Sequence, residues 1–179
     1  MTQSQLATFG AGCFWGTEAA FKLVPGVTKT EVGYMGGDME RPSYEDVITD
    51  KTGHVEVVQV SYDPEKVSYE QLMKIFWLIH NPTEMNRQGN DVGAQYRSVA
   101  FYHTEEQKAI AEQSKEELEK SGQYNQPITT AIEPAGTFWK AEAYHQEYLA
   151  KNPGGYCHVN MGKVKEFIAT EFGFTHGDM

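Results

Sequence analysis

Apolar positions along this chain switch repeatedly between a period of two and a period near 3.6, and each switch marks an element. The apolar run Leu6–Phe9 predicts a short strand. A glycine turn, Gly10-Ala11-Gly12, leads into a helix from about Phe14 to Leu23, stopped by Pro25-Gly26. Val27–Tyr34 reads as a strand closed by Gly36-Gly37, and a polar loop with Pro42 follows. His54–Tyr62, rich in valine, reads as another strand. Ser68-Tyr69-Glu70-Gln71 is a capping-box pattern, and Leu72, Ile75, Phe76 and Ile79 then recur at helical spacing up to Asn81-Pro82. Thr83–Gln95 is a loop of functional length. Ser98–Tyr102 is a strand, Thr104 to Gln107 a second capping box whose helix runs to about Gly122, and Ile128–Ile132 a strand. A helix from about Ala141 to Ala150 would place Ala141, Tyr144, His145 and Tyr148 on one face before Asn152-Pro153-Gly154-Gly155 breaks it. Val164, Phe167, Ile168 and Phe172 predict a short last helix. The order, roughly β-α-β-β-α-β-α-β-α, predicts the α+β class: a two-layer sandwich, with helices packed on a mixed, mainly antiparallel sheet and a ferredoxin-like core. There is no internal repeat and no low-complexity linker, so residues 1–179 are expected to form a single domain.

Composition narrows the function classes. Forty per cent hydrophobic and 12% aromatic content in 179 residues predicts a folded chain able to bury a core without staples. The net charge of −10 argues against nucleic acid or an anionic membrane as partner, since either needs a basic footprint. The polar start Met1–Gln5 lacks a signal-peptide pattern and no apolar run is long enough to span a bilayer, so a cytoplasmic protein is expected. Two cysteines are too few for a disulfide framework. The six histidines form no His-Glu-x-x-His, and there is no Cys-x-x-Cys, so neither a metal nor another cofactor is expected.

The chemistry centres on Cys13, placed on the first turn of a helix by Gly10-Ala11-Gly12-Cys13-Phe14-Trp15-Gly16. Unpaired N–H groups at a helix start favour negative charge, which biases such a thiol toward thiolate. Phe14 and Trp15 put two large rings beside it. Glu56 alternates with Val58, Val60 and Tyr62 on one strand face while Val55 and Val57 flank it. A carboxyl stripped of water there would keep its proton. Spacing alone, however, favours an edge-strand glutamate facing solvent. Tyr34, Tyr44 and Tyr96 lie in or beside glycine-containing loops, and Asp91 lies in the turn-rich Gln88–Gly93 stretch; taken singly, each fits packing or turn formation better than chemistry. Cys157, in Gly154-Gly155-Tyr156-Cys157-His158, is a loop thiol able to condense with a sulfenic acid, and a protonated His158 would favour its thiolate. From these residues a peroxidase passing through sulfenic acid, or a sulfur-binding module with an inert Cys13, stays open.

Gly12-Cys13-Phe14-Trp15-Gly16 resembles the active-site signature of peptide-methionine (S)-S-oxide reductases, the A-type methionine sulfoxide reductases. Five further segments are similar to that family in the same order: Val32-Gly33-Tyr34 with Gly36-Gly37, Tyr44–Val47, Thr52–Val58, Asn90–Ser98 and Ala141–Gln146. The resemblance spans about Leu6 to Met161 and implies a thioredoxin-dependent reductase acting on methionine S-sulfoxide, free or in proteins. It implies Cys13 as nucleophile, Phe14 and Trp15 as the wall for the substrate's S-methyl group, and Glu56 as the acid toward the sulfoxide oxygen. Tyr44 and Tyr96 would bind that oxygen, Asp91 would order the site, and Cys157 would recycle Cys13 through a disulfide reopened by thioredoxin or a similar dithiol. Tyr34 and Glu18 match no such position and are expected to be structural. A monomer without cofactors is expected.

Overall fold

The computed structural model describes residues 4–173. Its core follows from where the valine-rich strand lies. β1 (Gln5–Gly10), α1 (Phe14–Lys22), β2 (Val27–Met35), β3 (Val55–Tyr62), α3 (Tyr69–Leu78) and β6 (Val99–Tyr102) form a β-α-β-β-α-β unit. The strand order within it is β6-β1-β3-β2, all antiparallel neighbours, which is the ferredoxin-like arrangement. β3 is therefore an inner strand, paired with β1 on one side and β2 on the other. That removes the edge-strand reading of Glu56. At one end of the sheet β7 (Ala131–Pro134) pairs in parallel with β6; at the other, β8 (Trp139–Lys140) pairs antiparallel with β2.

Alternation along the strands divides the core. Phe9, Val32, Tyr34, Val58, Val60 and Tyr62 face the helices and meet Phe21 of α1, Ile75 and Phe76 of α3, and Val164 and Ile168 of α6 (Met161–Phe172). The Phe9 ring stacks between Phe21 and Phe76, each with centroids 5.1 Å away. Each such buried side chain contributes on the order of 2 kcal/mol. Met35, Val55, Val57, Val99 and Phe101 form the opposite face, covered in part by Ala135 and Phe138.

Ser68 and Gln71 cap α3 reciprocally, as the pattern predicts. At α4 (Glu105–Lys120) the box is altered. Thr104 accepts from the Gln107 amide, but the Gln107 side chain accepts from His103 N–H and donates to the Leu6 carbonyl, tying the helix start to β1. Three expectations need correction. The loop at Pro42 contains a one-turn helix, α2 (Tyr44–Val47), capped by a Ser43–Asp46 box. The Thr83–Gln95 loop contains a small hairpin, β4 (Arg87–Gln88) with β5 (Asp91–Val92), and a 3-10 turn over Ala94–Tyr96. The helix expected over Ala141–Ala150 is a 3-10 turn at Ala143–His145, a left-handed Glu147 at φ 52°, and α5 (Tyr148–Lys151). Tertiary hydrogen bonds break it. The Gln146 amide bonds both the N–H and the carbonyl of Val32, and the Glu147 N–H donates to buried Glu18 at 2.7 Å. Among the described residues no helix is long and apolar enough to cross a membrane.

Candidate active site

β1 ends at Gly10, and Gly12, at φ +90°, turns the chain so that Cys13 caps α1. A side chain at Gly12 would be strained by that φ and would press on Gln88. Cys13 is 8% exposed, and the N–H groups of Trp15 and Gly16 are aimed at its thiol. Burial nevertheless pushes its pKa far above the ordinary thiol range, and Glu56 and Asp91 add to the rise. The helix-start expectation of a thiolate is thus overturned for the free protein. Two N–H donors lower the pKa by less than desolvation and neighbouring carboxylates raise it.

Glu56 is the first of those carboxylates. It projects from β3 to the helix side, is 1% exposed, and its Oε1 accepts the Phe14 N–H at 3.2 Å. Its Oε2 is buried and has no hydrogen-bond partner. Burial, with Asp91 adding, pushes this carboxyl up to about 8 against the pull of the Phe14 N–H. Near neutrality it is a protonated acid with one oxygen uncommitted.

Around this pair stand the groups singled out from the sequence. Tyr44, the first residue of α2, and Tyr96, at the end of the 3-10 turn, act on each other electrostatically, and both lie within the electrostatic reach of Glu56, Cys13 and Asp91. Burial raises both phenol pKa values, so both are neutral donors. Asp91, on β5, accepts the Tyr156 hydroxyl at 3.0 Å. Phe14 is 1% exposed, its ring between Tyr34 (5.8 Å) and His145 (5.1 Å). Trp15 stacks on Tyr148 at 3.7 Å, so one of its faces is already covered, and its Nε1–H donates to His145 Nδ1 at 3.0 Å.

Sequence reasoning passed over the supports of these groups. Glu142 accepts from the Tyr34 hydroxyl, the Tyr44 N–H and the Tyr144 hydroxyl, all at 3.1 Å, and so holds the start of α2 against β2. Glu142 and His145 lie inside the Ala141–Gln146 segment, but nothing in their spacing announces a contact with Tyr44 or Trp15. Tyr34 donates to Glu142, and Glu18 accepts from Thr30 and from the Glu147 N–H.

Cys157 is brought to the same turn. A Cβ on Gly16 would lie 3.1 Å from Cys157 Sγ and 3.2 Å from His158 Nδ1, and a Cβ on Gly12 would lie 3.2 Å from His158 Nε2. Both cysteines are free thiols. His158 is not the protonated neighbour the sequence suggested. Burial lowers its pKa, and Nε2 bonds the Ala11 carbonyl at 2.8 Å. Among the described residues no group of three His, Cys, Asp or Glu side chains is placed to hold a metal.

A ferredoxin-like sheet carrying a buried thiol at a helix cap, a proton-bearing carboxyl beside it and a second thiol packed against Gly16 of the same helix defines a cysteine-based redox enzyme. The comparisons specify which kind. Residues 5–175 match the family model for peptide methionine sulfoxide reductase. A protein named peptide methionine sulfoxide reductase MsrA from Methanoculleus marisnigri is 63% identical over 151 residues, covering 84% of this chain and 92% of its own. The crystal structure of Mxr1 from Saccharomyces cerevisiae in reduced form superposes with a TM-score of 0.82 at 37% identity, covering 89% of this chain and 91% of that one. Mxr1 in complex with Trx2 aligns at a TM-score of 0.57 and 29% identity, covering 82% of this chain and 85% of that one. The chain belongs to the peptide methionine sulfoxide reductase family, and its reaction is the reduction of methionine sulfoxide.

Proposed function

We propose that this chain, as one domain and a monomer, reduces the S epimer of methionine sulfoxide through Cys13 and is returned to its dithiol form by a thioredoxin-type protein. The observation that carries the reading is the pairing of the Cys13 thiol with Glu56, whose uncommitted Oε2 holds a proton near neutrality. A sulfoxide sulfur is a weak electrophile until its oxygen is protonated or strongly hydrogen-bonded. Glu56 supplies the proton, and the neutral phenols of Tyr44 and Tyr96 donate to the same oxygen as charge shifts onto it. Cys13 Sγ attacks the sulfur, and its own proton restores Glu56. Oxygen passes to Cys13, which becomes sulfenic acid, and methionine leaves. Atoms balance: thiol and sulfoxide become sulfenic acid and thioether.

Phe14 and Trp15 supply the apolar side of the substrate site and Asp91 orders the polar side. Cys157 then attacks the sulfenic sulfur, water departs, and a Cys13–Cys157 disulfide forms. The position of Cys157 over Gly16 supports this step. The Mxr1–Trx2 complex supports a thioredoxin-type dithiol as the partner that reopens the disulfide by exchange. Such a cycle fits the reducing cytoplasm. The test is thioredoxin-coupled turnover on separated S and R sulfoxides, with Cys13→Ser as control. The S epimer alone should be reduced, and Cys13→Ser should lose conversion altogether. Retained turnover in that variant, or equal use of both epimers, would overturn the reading.

A further inference from the structure

His158 is a buried functional group that the scheme above does not use. Its Nε2 is 2.8 Å from the Ala11 carbonyl, which can only accept, so Nε2 carries the ring hydrogen and Nδ1 carries the lone pair. That Nδ1 is buried and has no hydrogen-bond partner. It is not hidden at random. Nδ1 and Cys157 Sγ converge on one spot, 3.2 and 3.1 Å from where a Gly16 Cβ would be. The Cys157 thiol meanwhile makes only a long contact, 3.5 Å, to the Val159 carbonyl. A neutral imidazole with an unused acceptor and the thiol that loses its proton in the recycling step therefore face the same point on α1.

We propose that His158 is the base that takes the Cys157 thiol proton as the Cys13–Cys157 disulfide forms. The inference rests on the recycling role of Cys157. In the step, Cys157 Sγ bonds to the sulfur of Cys13 sulfenic acid while its proton moves to His158 Nδ1. The Cys13 S–O bond breaks, and the departing hydroxide takes the proton from the imidazolium to leave as water. Sulfenic acid and thiol become disulfide and water, with no outside oxidant.

The surroundings suit a transient imidazolium. Ala11 holds the ring from the other side, and the Asp91 carboxylate on β5 acts on it in the stabilising direction. The other titratable neighbour, His80 just beyond α3, is locked neutral: burial pushes it down to about 3, and both its nitrogens are engaged, with the Phe76 carbonyl and Ser98. At rest burial also keeps His158 below its ordinary pKa, so the lone pair is free at neutral pH.

The test separates the two steps in one turnover. Reduced protein is mixed with one equivalent of methionine S-sulfoxide. Methionine release reports the Cys13 step, and loss of the second thiol reports disulfide formation. His158→Gln keeps an amide N–H able to reach Ala11 but carries no base. Methionine release should be unchanged in it. Disulfide formation should slow about 10- to 100-fold at neutral pH and recover at alkaline pH, where a thiol ionises without help. In the unsubstituted chain the same step should be flat from neutral pH upward and fall only below histidine's ordinary range, about 6.5. A normal disulfide rate in His158→Gln, equal slowing at every pH, or a wild-type rate that climbs steeply with alkalinity would overturn the proposal and leave Cys157 recycling intact. If Cys157→Ser still cycles normally with thioredoxin, the recycling role itself falls, and this proposal with it.

Discussion

Cys13 and Glu56 both depart from their behaviour in water in the same direction, and for the same reason. Each is stripped of solvent, and each holds its proton more tightly than a free thiol or carboxyl. A thiol with a raised pKa looks inert, yet in the proposed reaction Glu56 beside it supplies the proton to the sulfoxide oxygen. Once Glu56 is neutral it no longer repels a developing thiolate. Two consequences follow for pH. The Cys13 step, read as methionine release in a single turnover, should decline as pH rises through about 8, because Glu56 then loses the proton it must donate. Glu56→Gln should slow that step by about 100-fold or more and lack the decline. In stability the folded chain binds a proton at Glu56 up to about 8, whereas an unfolded glutamate loses it near 4.3. The folded state binds more protons across that window, so stability falls as pH rises through it. Glu56→Gln should remove this contribution and gain a few kcal/mol over the native chain near pH 8, measured by urea unfolding at several pH values. Glu56 as a candidate was legible in the alternation of β3; its burial was not, because alternation cannot tell an inner strand from an edge strand.

At the scale of elements, α1 does two jobs with two glycines. Gly12 permits the turn that aims Cys13. Gly16 lets the 157–159 segment lie on the helix, with three side-chain atoms 3.1–3.2 Å from the place of a methyl group. In an ordinary helix Gly→Ala stabilises by roughly 0.5–1 kcal/mol. Here Gly16→Ala should leave methionine release near normal and slow disulfide formation several-fold, because the methyl group lifts Cys157 and His158 away from Cys13. Thiol titration after a single turnover checks it. The capped helices show what local chemistry can and cannot announce. Ser68 and Gln71 specify the start of α3 within four residues, and that start was legible. The segment 141–150 has helical spacing, yet Gln146 spends its amide on Val32 of β2, and Glu147 takes a left-handed conformation with its N–H on Glu18. Those partners lie more than a hundred residues away along the chain, so no window around Gln146 contains the information.

Over the whole molecule the sheet order decides what meets. Placing β3 between β1 and β2 puts Glu56 beneath the first turn of α1. Glu142 brings Tyr44 in from the 36–54 loop, the β4–β5 hairpin delivers Asp91, and the Tyr156–Asp91 hydrogen bond ties that hairpin to the segment carrying Cys157. The proposed cycle, linking two thiols so far apart in sequence, depends on that assembly. Cys157→Ser should therefore give one stoichiometric equivalent of methionine, stop with Cys13 as a sulfenic acid trappable by a dione reagent, and show no thioredoxin-coupled turnover. Multiple turnovers with thioredoxin in that variant would overturn the Cys13–Cys157 pathway.

The sequence by itself determined the α+β class, most strand and helix positions, the cysteine at a helix start and the family resemblance, because period, caps and contiguous motifs are local properties of the chain. The tertiary structure alone decided that Glu56 is inner and protonated, that Cys13 rests as a thiol rather than a thiolate, and that Cys157 and His158 lie over Gly16. Each of these depends on desolvation and on partners distant in sequence, and both exist only once the sheet has closed over them.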